Sequence, residues 1–330
     1  MAGHMKAAIF TKYGPPQVLV VQERAMPVPS PTEVLVKVHC GSVTTADVLL
    51  RSNDVPWLFW LPMRLMLGFF KMKHEILGNE FAGEVVSIGK SVTRFKPGDI
   101  VCGRASFGSN AQYRTLGENS IMRKLPTLDH MTKSALFSFG GMTALQTLRD
   151  IGNLRGGERV LVIGAGGACG TMAVQIAGLL GAHVTGVCSK GKKELVLALG
   201  ADEVIDYASE DYTLSDRTYD VIFDAVGNRP ASASWQVLAE GGRYLSLSLS
   251  ARDFLWSLIS KLNSNKRHYF GTSKPNQTDY DILCDWFLDG KINPIVDKVF
   301  PLSQIARAHS YVQTGRKTGN VGLEMEHTHD

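Results

Sequence analysis

The segment Arg159-Val-Leu-Val-Ile-Gly164-Ala165-Gly166-Gly167-Ala168-Cys169-Gly170 holds the residue types and spacing that most directly imply chemistry. A β-branched apolar run enters it and a helical run leaves it. Cysteine at 169 breaks the strict G-x-G-x-x-G spacing, but Gly164, Gly167 and Gly170 keep a G-x-x-G-x-x-G series that can serve the same purpose. Glycine keeps such a turn tight, lets backbone N–H groups close on a pyrophosphate, and places that charge at the positive end of the following helix dipole. A glycine-rich turn without a ligand is the competing explanation. The strand before, the helix after and the βα repeats beyond favour a dinucleotide. The next strand, His183 to Cys188, is followed by Ser189 where an NAD site carries Asp or Glu for the ribose hydroxyls, and Lys190, Lys192 and Lys193 come next. A 2′-phosphate would gain charge-assisted hydrogen bonds there, with Ser189, Lys190 and Lys193 as candidate ligands. The expected cofactor is NADP(H) in preference to NAD(H); the alternative is a lysine cluster opening a solvated helix.

The elements that must position this turn change character along the chain. From Lys6 to about Pro126 the sequence is a series of short β-branched runs closed by Gly, Pro and Asp: Val18 to Gln22, Glu33 to His39, Phe81 to Ile88 and Asp99 to Gly103. That pattern predicts a mostly antiparallel β unit. Met131 to Asp150 has helical spacing, with Thr132 as N-cap and Gly140-Gly141 dividing the helix in two. Strands then alternate with helices: Arg159 to Ile163, a helix over Gly170 to Leu180, His183 to Cys188, a helix over Lys192 to Leu199, Glu203 to Tyr207, Tyr219 to Ala225, a helix near Ala233 to Ala239, and Arg243 to Leu247. The alternation predicts an α/β domain with a doubly wound parallel Rossmann sheet. A strand at His268 to Thr272 and helices at Asp279 to Leu288 and Leu302 to Thr314 follow, and Glu326 to Asp330 reads as a frayed tail. The dinucleotide-binding domain is expected over 131–272, with 5–130 and 273–330 forming the substrate domain.

The chain has 330 residues, 44% hydrophobic and 20% charged, with 33 glycines and 13 prolines, which excludes collagen, coiled coil and a disordered chain. Its net charge of +4 contains no block of like charge, so nucleic-acid binding is not expected. Cys40, Cys102, Cys169, Cys188 and Cys284 are scattered and never form C-x-x-C, which argues against a disulfide framework and for a reducing cytoplasmic setting. The apolar run Val55 to Phe70 is interrupted by Pro56, Pro62 and Arg64 and is too short to span a bilayer. Met-Ala-Gly-His-Met reads as a cloning scar ahead of a native start at Met5.

This order of parts resembles the medium-chain dehydrogenase/reductase superfamily, and within it the zinc-independent quinone oxidoreductase branch. The matching pieces are Gly14-Pro15-Pro16-Gln17-Val18-Leu19, Gly78-Asn79-Glu80-Phe-Ala-Gly83, Arg94-Phe-Lys-Pro97-Gly98-Asp99, Gly141-Met-Thr143-Ala144, the glycine turn, Leu199-Gly200-Ala201-Asp202, Phe223-Asp224-Ala-Val226-Gly227 and Gly319-Asn320-Val321. They extend over nearly the whole chain from Met5 to Met325. The resemblance implies a GroES-like fold for the β-rich domain. In zinc members of the superfamily a Gly-His-Glu triplet and a cysteine supply metal ligands; here the triplet is Gly78-Asn79-Glu80 and the cysteine position holds Thr44, so no metal is expected. Quinone reductases carry Ser-Val-Asn-x-x-Asp near the active site, where this chain reads Ser42-Val43-Thr44-Thr45-Ala46-Asp47. The resemblance therefore implies Thr44 and Asp47 as catalytic candidates, Thr44 as donor to a substrate carbonyl and Asp47 as catalyst or brace. It also implies that Thr143 lies near the nicotinamide, Tyr207 near the adenosine phosphate, and Val226, Phe270 and Asn320 along the cofactor.

Without a metal to polarise the substrate, the reducible group should be an activated electrophile, a quinone or an α,β-unsaturated carbonyl. The expected function is zinc-independent, NADPH-dependent reduction of such small molecules by a homodimer joined along the strand at His268 to Thr272. Two alternatives are an NAD(P)-dependent alcohol or aldehyde oxidoreductase and a non-catalytic NADPH-binding redox sensor. The aromatic and methionine-rich run Val55 to Phe70 is open to four readings: a lid over apolar substrates, a core helix, a subunit contact or a membrane-surface element.

Overall fold

The computed structural model describes residues 3–55, 57–68, 72–127, 131–248, 250–263, 265–271 and 273–327. The strands and helices run in the order β1 (His4–Ile9), β2 (Val20–Ala25), β3 (Glu33–Ser42), α1 (Thr45–Ser52), α2 (Trp57–Leu67), β4 (Glu80–Ile88), β5 (Ile100–Arg104), β6 (Tyr113–Gly117), β7 (Met122–Lys124), α3 (Met131–Ser134) and α4 (Ser138–Gln146). They continue with β8 (Arg159–Ile163), α5 (Ala168–Leu179), β9 (His183–Cys188), α6 (Lys193–Ala198), β10 (Glu203–Asp206), β11 (Tyr219–Asp224), β12 (Leu238–Ser246), α7 (Ala251–Asn263) and β13 (Arg267–Phe270). The last are α8 (Gln277–Leu288), β14 (Val296–Pro301), α9 (Ile305–Gln313) and β15 (Asn320–Glu324).

Two compact units result. One comprises Met1–Phe139, Pro275–Cys284 and Val296–Asp330, the other Gly140–Lys274 and Asp285–Ile295. In the first, β1 and β2 form an antiparallel pair, and a seven-stranded sheet runs β14-β15-β3-β4-β5-β7 with β6 also paired to β3. Val34, Val36 and Val38 alternate inward along β3 and meet Phe81 and Val85 of β4 and Val321 and Leu323 of β15 in one core, as the two-residue period of a strand requires. In the second unit a six-stranded parallel sheet has the order β10-β9-β8-β11-β12-β13. Its β8 buries Val160, Leu161 and Val162 completely, which explains why that strand is apolar without alternation.

Four sequence expectations are corrected. The pair Gly140-Gly141 does not break a helix: α4 runs through it, and the interruption falls earlier, between α3 and α4. The reason for glycine is packing, since a Cβ at 140 would sit 2.7 Å from the Ala168 carbonyl oxygen at the start of α5. Thr132 lies inside α3, which begins at Met131, and so is not its cap. Ala233 to Ala239 is not an α-helix; a single 3-10 turn at Ala231–Ser234 leads into β12, whose apolar Leu238 belongs to the sheet core. Val18 closes a turn at Pro16–Val18, and the strand starts at Val20. The sequence patterns also left out α1, β6, β7, α7, β14 and β15. Thr272, the end assigned to the edge strand, lies outside the described residues, as do Pro56, Phe69 and Phe70 of the apolar run and residues 328–330 of the tail. Within that run Trp57–Leu67 forms α2, with Trp57 80%, Leu61 51% and Leu65 63% exposed.

Two histidines are sealed in these cores. His268 of β13 and His309 of α9 are 1% and 0% exposed, and no ring nitrogen of either has a hydrogen-bond partner among the described residues. Burial pushes His268 down to about 4, against the pull of Asp253, and pushes His309 down to about 3, helped by the Arg51 cation. An unfolded chain takes up both protons near pH 6.5, about the ordinary imidazole value, whereas the folded chain does not. Stability is therefore full above that pH and is lost as pH falls toward the folded values. The expected loss is about 2 kcal/mol per histidine at about pH 5. Urea unfolding between about pH 7.5 and about pH 5 should show it, and His309→Phe should flatten the dependence.

Candidate active site

In the second unit the candidate cofactor residues collect along one edge of the parallel sheet. The register aligns Ile163 with Val187 and Asp224, Cys188 with Asp206, and Ser246 with both Asp224 and Phe270, so the carboxyl ends of the six strands form one line. The chain leaves β8 for β9 and β10 on one side and returns to β11 on the other. Such a reversal opens a crevice at the strand ends, where open α/β sheets bind ligands. The glycine turn fills that point. Gly164 N–H and Ala165 N–H both donate to the Val187 carbonyl at 3.0 Å, and Gly167 N–H donates to the Gly164 carbonyl at 3.0 Å. Gly164 has φ +80°, and a Cβ there would meet Val226 Cγ2 at 2.4 Å. At Gly170 a Cβ would stand 2.0 Å from the Gly164 carbonyl oxygen, so α5 starts flush against the end of β8 only because 170 is glycine. Gly167, the N-cap of α5, provides no side-chain cap, which leaves the first turn of the helix suited to an anionic ligand.

Asp224 holds the opposite wall. Its Oδ1 accepts from Val226 N–H at 2.8 Å and Gly227 N–H at 2.9 Å, and its Oδ2 accepts from the Tyr244 hydroxyl at 2.5 Å. Burial and the adjacent Asp224 push the Tyr244 phenol well above its ordinary range, so it remains a donor. Ser189 follows β9, Lys190 and Lys193 are exposed, and Tyr207, 60% exposed, follows β10 and donates its N–H to the Cys188 carbonyl. Thr143 lies on α4, one turn beyond the Gly140 contact with α5. Phe270 ends the edge strand β13, three strands from β8. Asn320 belongs to the first unit, at the start of β15. Lys192, which the sequence names only as one of the lysine cluster, is the lysine that the structure brings to the glycine turn. Its stem lies across the turn, with Cδ 2.4 Å from where a Cβ at Gly166 would be. Its place in the lysine cluster was visible, but not which of the lysines turns back over the glycines.

In the first unit Thr44 and Asp47 form one network with the Gly78-Asn79 segment. Thr44 caps α1: its N–H and its hydroxyl both donate to Asp47 Oδ2, at 2.8 and 2.6 Å, and its Oγ1 accepts from Asp47 N–H at 3.2 Å. This is a capping box with Asp in the third helical position. Asp47 Oδ1 reaches further and accepts from Gly78 N–H at 3.1 Å, while Asn79 Nδ2 donates to Thr44 Oγ1 at 3.3 Å. Burial pushes the Asp47 carboxyl up, opposed by the hydrogen bonds from Thr44 and Gly78 and assisted by the nearby Glu80. Glu80 itself is buried, with Oε1 accepting from Ser138 Oγ at 2.8 Å and Phe139 N–H at 2.6 Å. Among the described residues no group of three or more His, Cys, Asp or Glu side chains is placed to hold a metal ion.

Comparison with known proteins agrees with both halves of this arrangement. Residues 30–150 match the alcohol dehydrogenase GroES-like domain, and residues 199–321 match the zinc-binding dehydrogenase family. The chain is 32% identical to the human mitochondrial NAD(P)H oxidoreductase RTN4IP1 over 97% of its own length and 89% of the relative's. It is 30% identical to the trans-enoyl reductase pgmF of Aspergillus terreus over 90% of this chain and 88% of that one. A solved structure of the quinone oxidoreductase from Coxiella burnetii superposes with a TM-score of 0.84 at 26% identity, covering 98% of this chain and 100% of the other. A parallel sheet with a dinucleotide turn, joined to a GroES-like sheet, therefore defines a nicotinamide-dependent oxidoreductase. The chain belongs to the medium-chain dehydrogenase/reductase superfamily, in its quinone oxidoreductase branch.

Because Gly170 has backbone, not a flexible side chain, against it, Gly170→Ala must push α5 away from β8. The expected result is at least about a tenfold loss of reduced dinucleotide affinity and about 1–3 kcal/mol of stability. Titration of nucleotide fluorescence and denaturant unfolding measure the two effects.

Proposed function

We propose that the protein is an NADPH-dependent reductase of quinones or α,β-unsaturated carbonyls that works without zinc. The observation that carries this reading is the hydrogen bond from Asn79 Nδ2 to Thr44 Oγ1. These are the two positions at which zinc relatives carry ligands, and here they hold an amide and a hydroxyl turned toward each other. Neither is a good ligand beside imidazole or thiolate, so the donor set does not fit a catalytic zinc. What the Asn79 amide of this pair can do is stabilise negative charge on an oxygen by hydrogen bonding, which suffices when the substrate is already electrophilic. A bound reduced nicotinamide would supply the hydride. The residues of the cradle fit such a group: the uncapped start of α5 for the pyrophosphate, and Ser189 with Lys190, Lys192 and Lys193 for a 2′-phosphate. Relatives named as a trans-enoyl reductase and as quinone oxidoreductases are consistent with this substrate class.

The same reading includes a homodimer through β13, an edge strand contacted by α7, whose Leu255, Leu258 and Ile259 are 59%, 50% and 46% exposed. Sedimentation equilibrium should give twice the chain mass; a monomer at micromolar concentration removes the dimer from the reading.

The decisive assay follows the loss of nicotinamide absorbance with benzoquinone and a medium-chain enone as acceptors, with and without prior chelation. Turnover should favour NADPH over NADH and be indifferent to the chelator. Lys192→Ala should raise KM for NADPH about tenfold and leave KM for NADH nearly unchanged. Loss of turnover on chelation overturns the metal-free reading, and tight nucleotide binding without turnover on either acceptor overturns the catalytic one.

A further inference from the structure

The Thr44 hydroxyl is saturated. A hydroxyl has one proton to give and two lone pairs. Its proton goes to Asp47 Oδ2, and its lone pairs accept from Asp47 N–H and Asn79 Nδ2. Thr44 has nothing left to donate to a substrate. Asn79 is the opposite case. It is 7% exposed, one of its two amide protons is directed to Thr44, and its Oδ1 has no partner among the described residues. Its second amide proton meets no acceptor among the described residues. A buried amide with most of its hydrogen-bonding capacity unmet costs free energy unless something else completes it. Its backbone is fixed on both sides: the Asn79 carbonyl accepts from Ala105 N–H at 2.8 Å, and the preceding Gly78 N–H donates to Asp47. Asn79 is therefore held, oriented and incomplete, while its neighbour Thr44 is complete.

We infer that Asn79, and not Thr44, is the residue that contacts the substrate carbonyl oxygen, donating its second Nδ2 proton to the negative charge that develops there, with Thr44 and Asp47 as positioning residues. The assignment rests on the reductase reading above and names the donor within it. As hydride adds to the β-carbon of an enone, the C=C electron pair moves through the conjugated system onto the carbonyl oxygen. The Asn79 N–H holds that oxygen by a hydrogen bond and gives up no proton. Water then protonates the α-carbon, so two electrons and one proton arrive with the hydride and one proton comes from solvent. The chain of control runs from Asp47, which fixes the Thr44 hydroxyl, to Thr44 Oγ1, which fixes the rotation of the Asn79 amide. This arrangement makes Thr44 act through Asn79, a dependence that a direct donor would not have.

The test uses Asn79→Ala, Asn79→Asp and Thr44→Val, singly and with Thr44→Val combined with Asn79→Ala. NADPH affinity, read by fluorescence, should be unchanged in each and reports folding. Asn79→Ala should lower kcat for the enone about 100-fold, the usual cost of one oxyanion donor. Thr44→Val should lower it less, and should add nothing in the Asn79→Ala background. Asn79→Asp conserves shape but is acceptor-only when ionised, so its kcat should be low at alkaline pH and recover as the carboxyl is protonated. A structural role for the side chain would give no such recovery. Independently of turnover, the C=O stretch of an enone bound without NADPH should shift to lower frequency in the wild type and not in ionised Asn79→Asp. Wild-type turnover with kcat kept within about threefold in both Asn79 variants overturns the assignment alone. Absence of wild-type turnover on any quinone or enone overturns the reductase reading and the assignment with it.

Discussion

The first unit of this protein is organised around a carboxylate buried with no cation bonded to it among the described residues. Asp47 is 1% exposed, and the groups that compensate its charge are donors from the chain itself: the Thr44 N–H and hydroxyl on Oδ2 and the Gly78 N–H on Oδ1. Such a charge is tolerable only if every donor stays in place, so one side chain ties the start of α1 to the segment that enters β4. Removal of any donor would leave a buried charge underserved, a much larger cost than loss of one surface hydrogen bond. The position of Asn79 follows from this constraint, because it adjoins Gly78 and donates to the same Thr44 hydroxyl that Asp47 orients.

The nucleotide-binding half solves a different problem, the close approach of backbone to backbone. The turn after β8 is pinned to the Val187 carbonyl, and α5 begins against the Gly164 carbonyl oxygen with no room for a side chain at 170. Gly140 repeats the device from the other side, bringing α4 onto the first residue of α5. These contacts hold the amino end of a helix at the point where the strand order reverses, which is what an anionic ligand needs. Asp224 serves the facing loop as Asp47 serves the first unit, through two backbone N–H groups and the Tyr244 hydroxyl.

Much of this was legible in the sequence because it is carried by local pattern. The apolar run into Gly164 and the period change beyond it announced the parallel sheet, and the spacing of Gly164, Gly167 and Gly170 announced the turn. Less legible was whatever depends on contact between distant residues. Gly140-Gly141 looks like a helix break in sequence, and only the Ala168 carbonyl explains it as packing. Ala233 to Ala239 has helix-forming composition, but Leu238 is drawn into β12 by its neighbours in the sheet. At the candidate site, the spacing of Thr44 and Asp47 already satisfies a capping box, yet nothing local indicates that Asn79, 35 residues later, completes the hydroxyl's set of partners. Lys192 likewise could not be separated from Lys190 and Lys193 until its stem was seen over Gly166.

The most direct test of metal-free conjugate reduction is where the hydride goes. Chelator-treated protein should be supplied with NADPH deuterated at the transferred position and with an enone, and the product analysed by mass spectrometry and NMR. The account predicts a saturated ketone with deuterium on the β-carbon, formed equally well with or without chelation. Deuterium on the carbonyl carbon of an alcohol, lost when metal is removed, would contradict it.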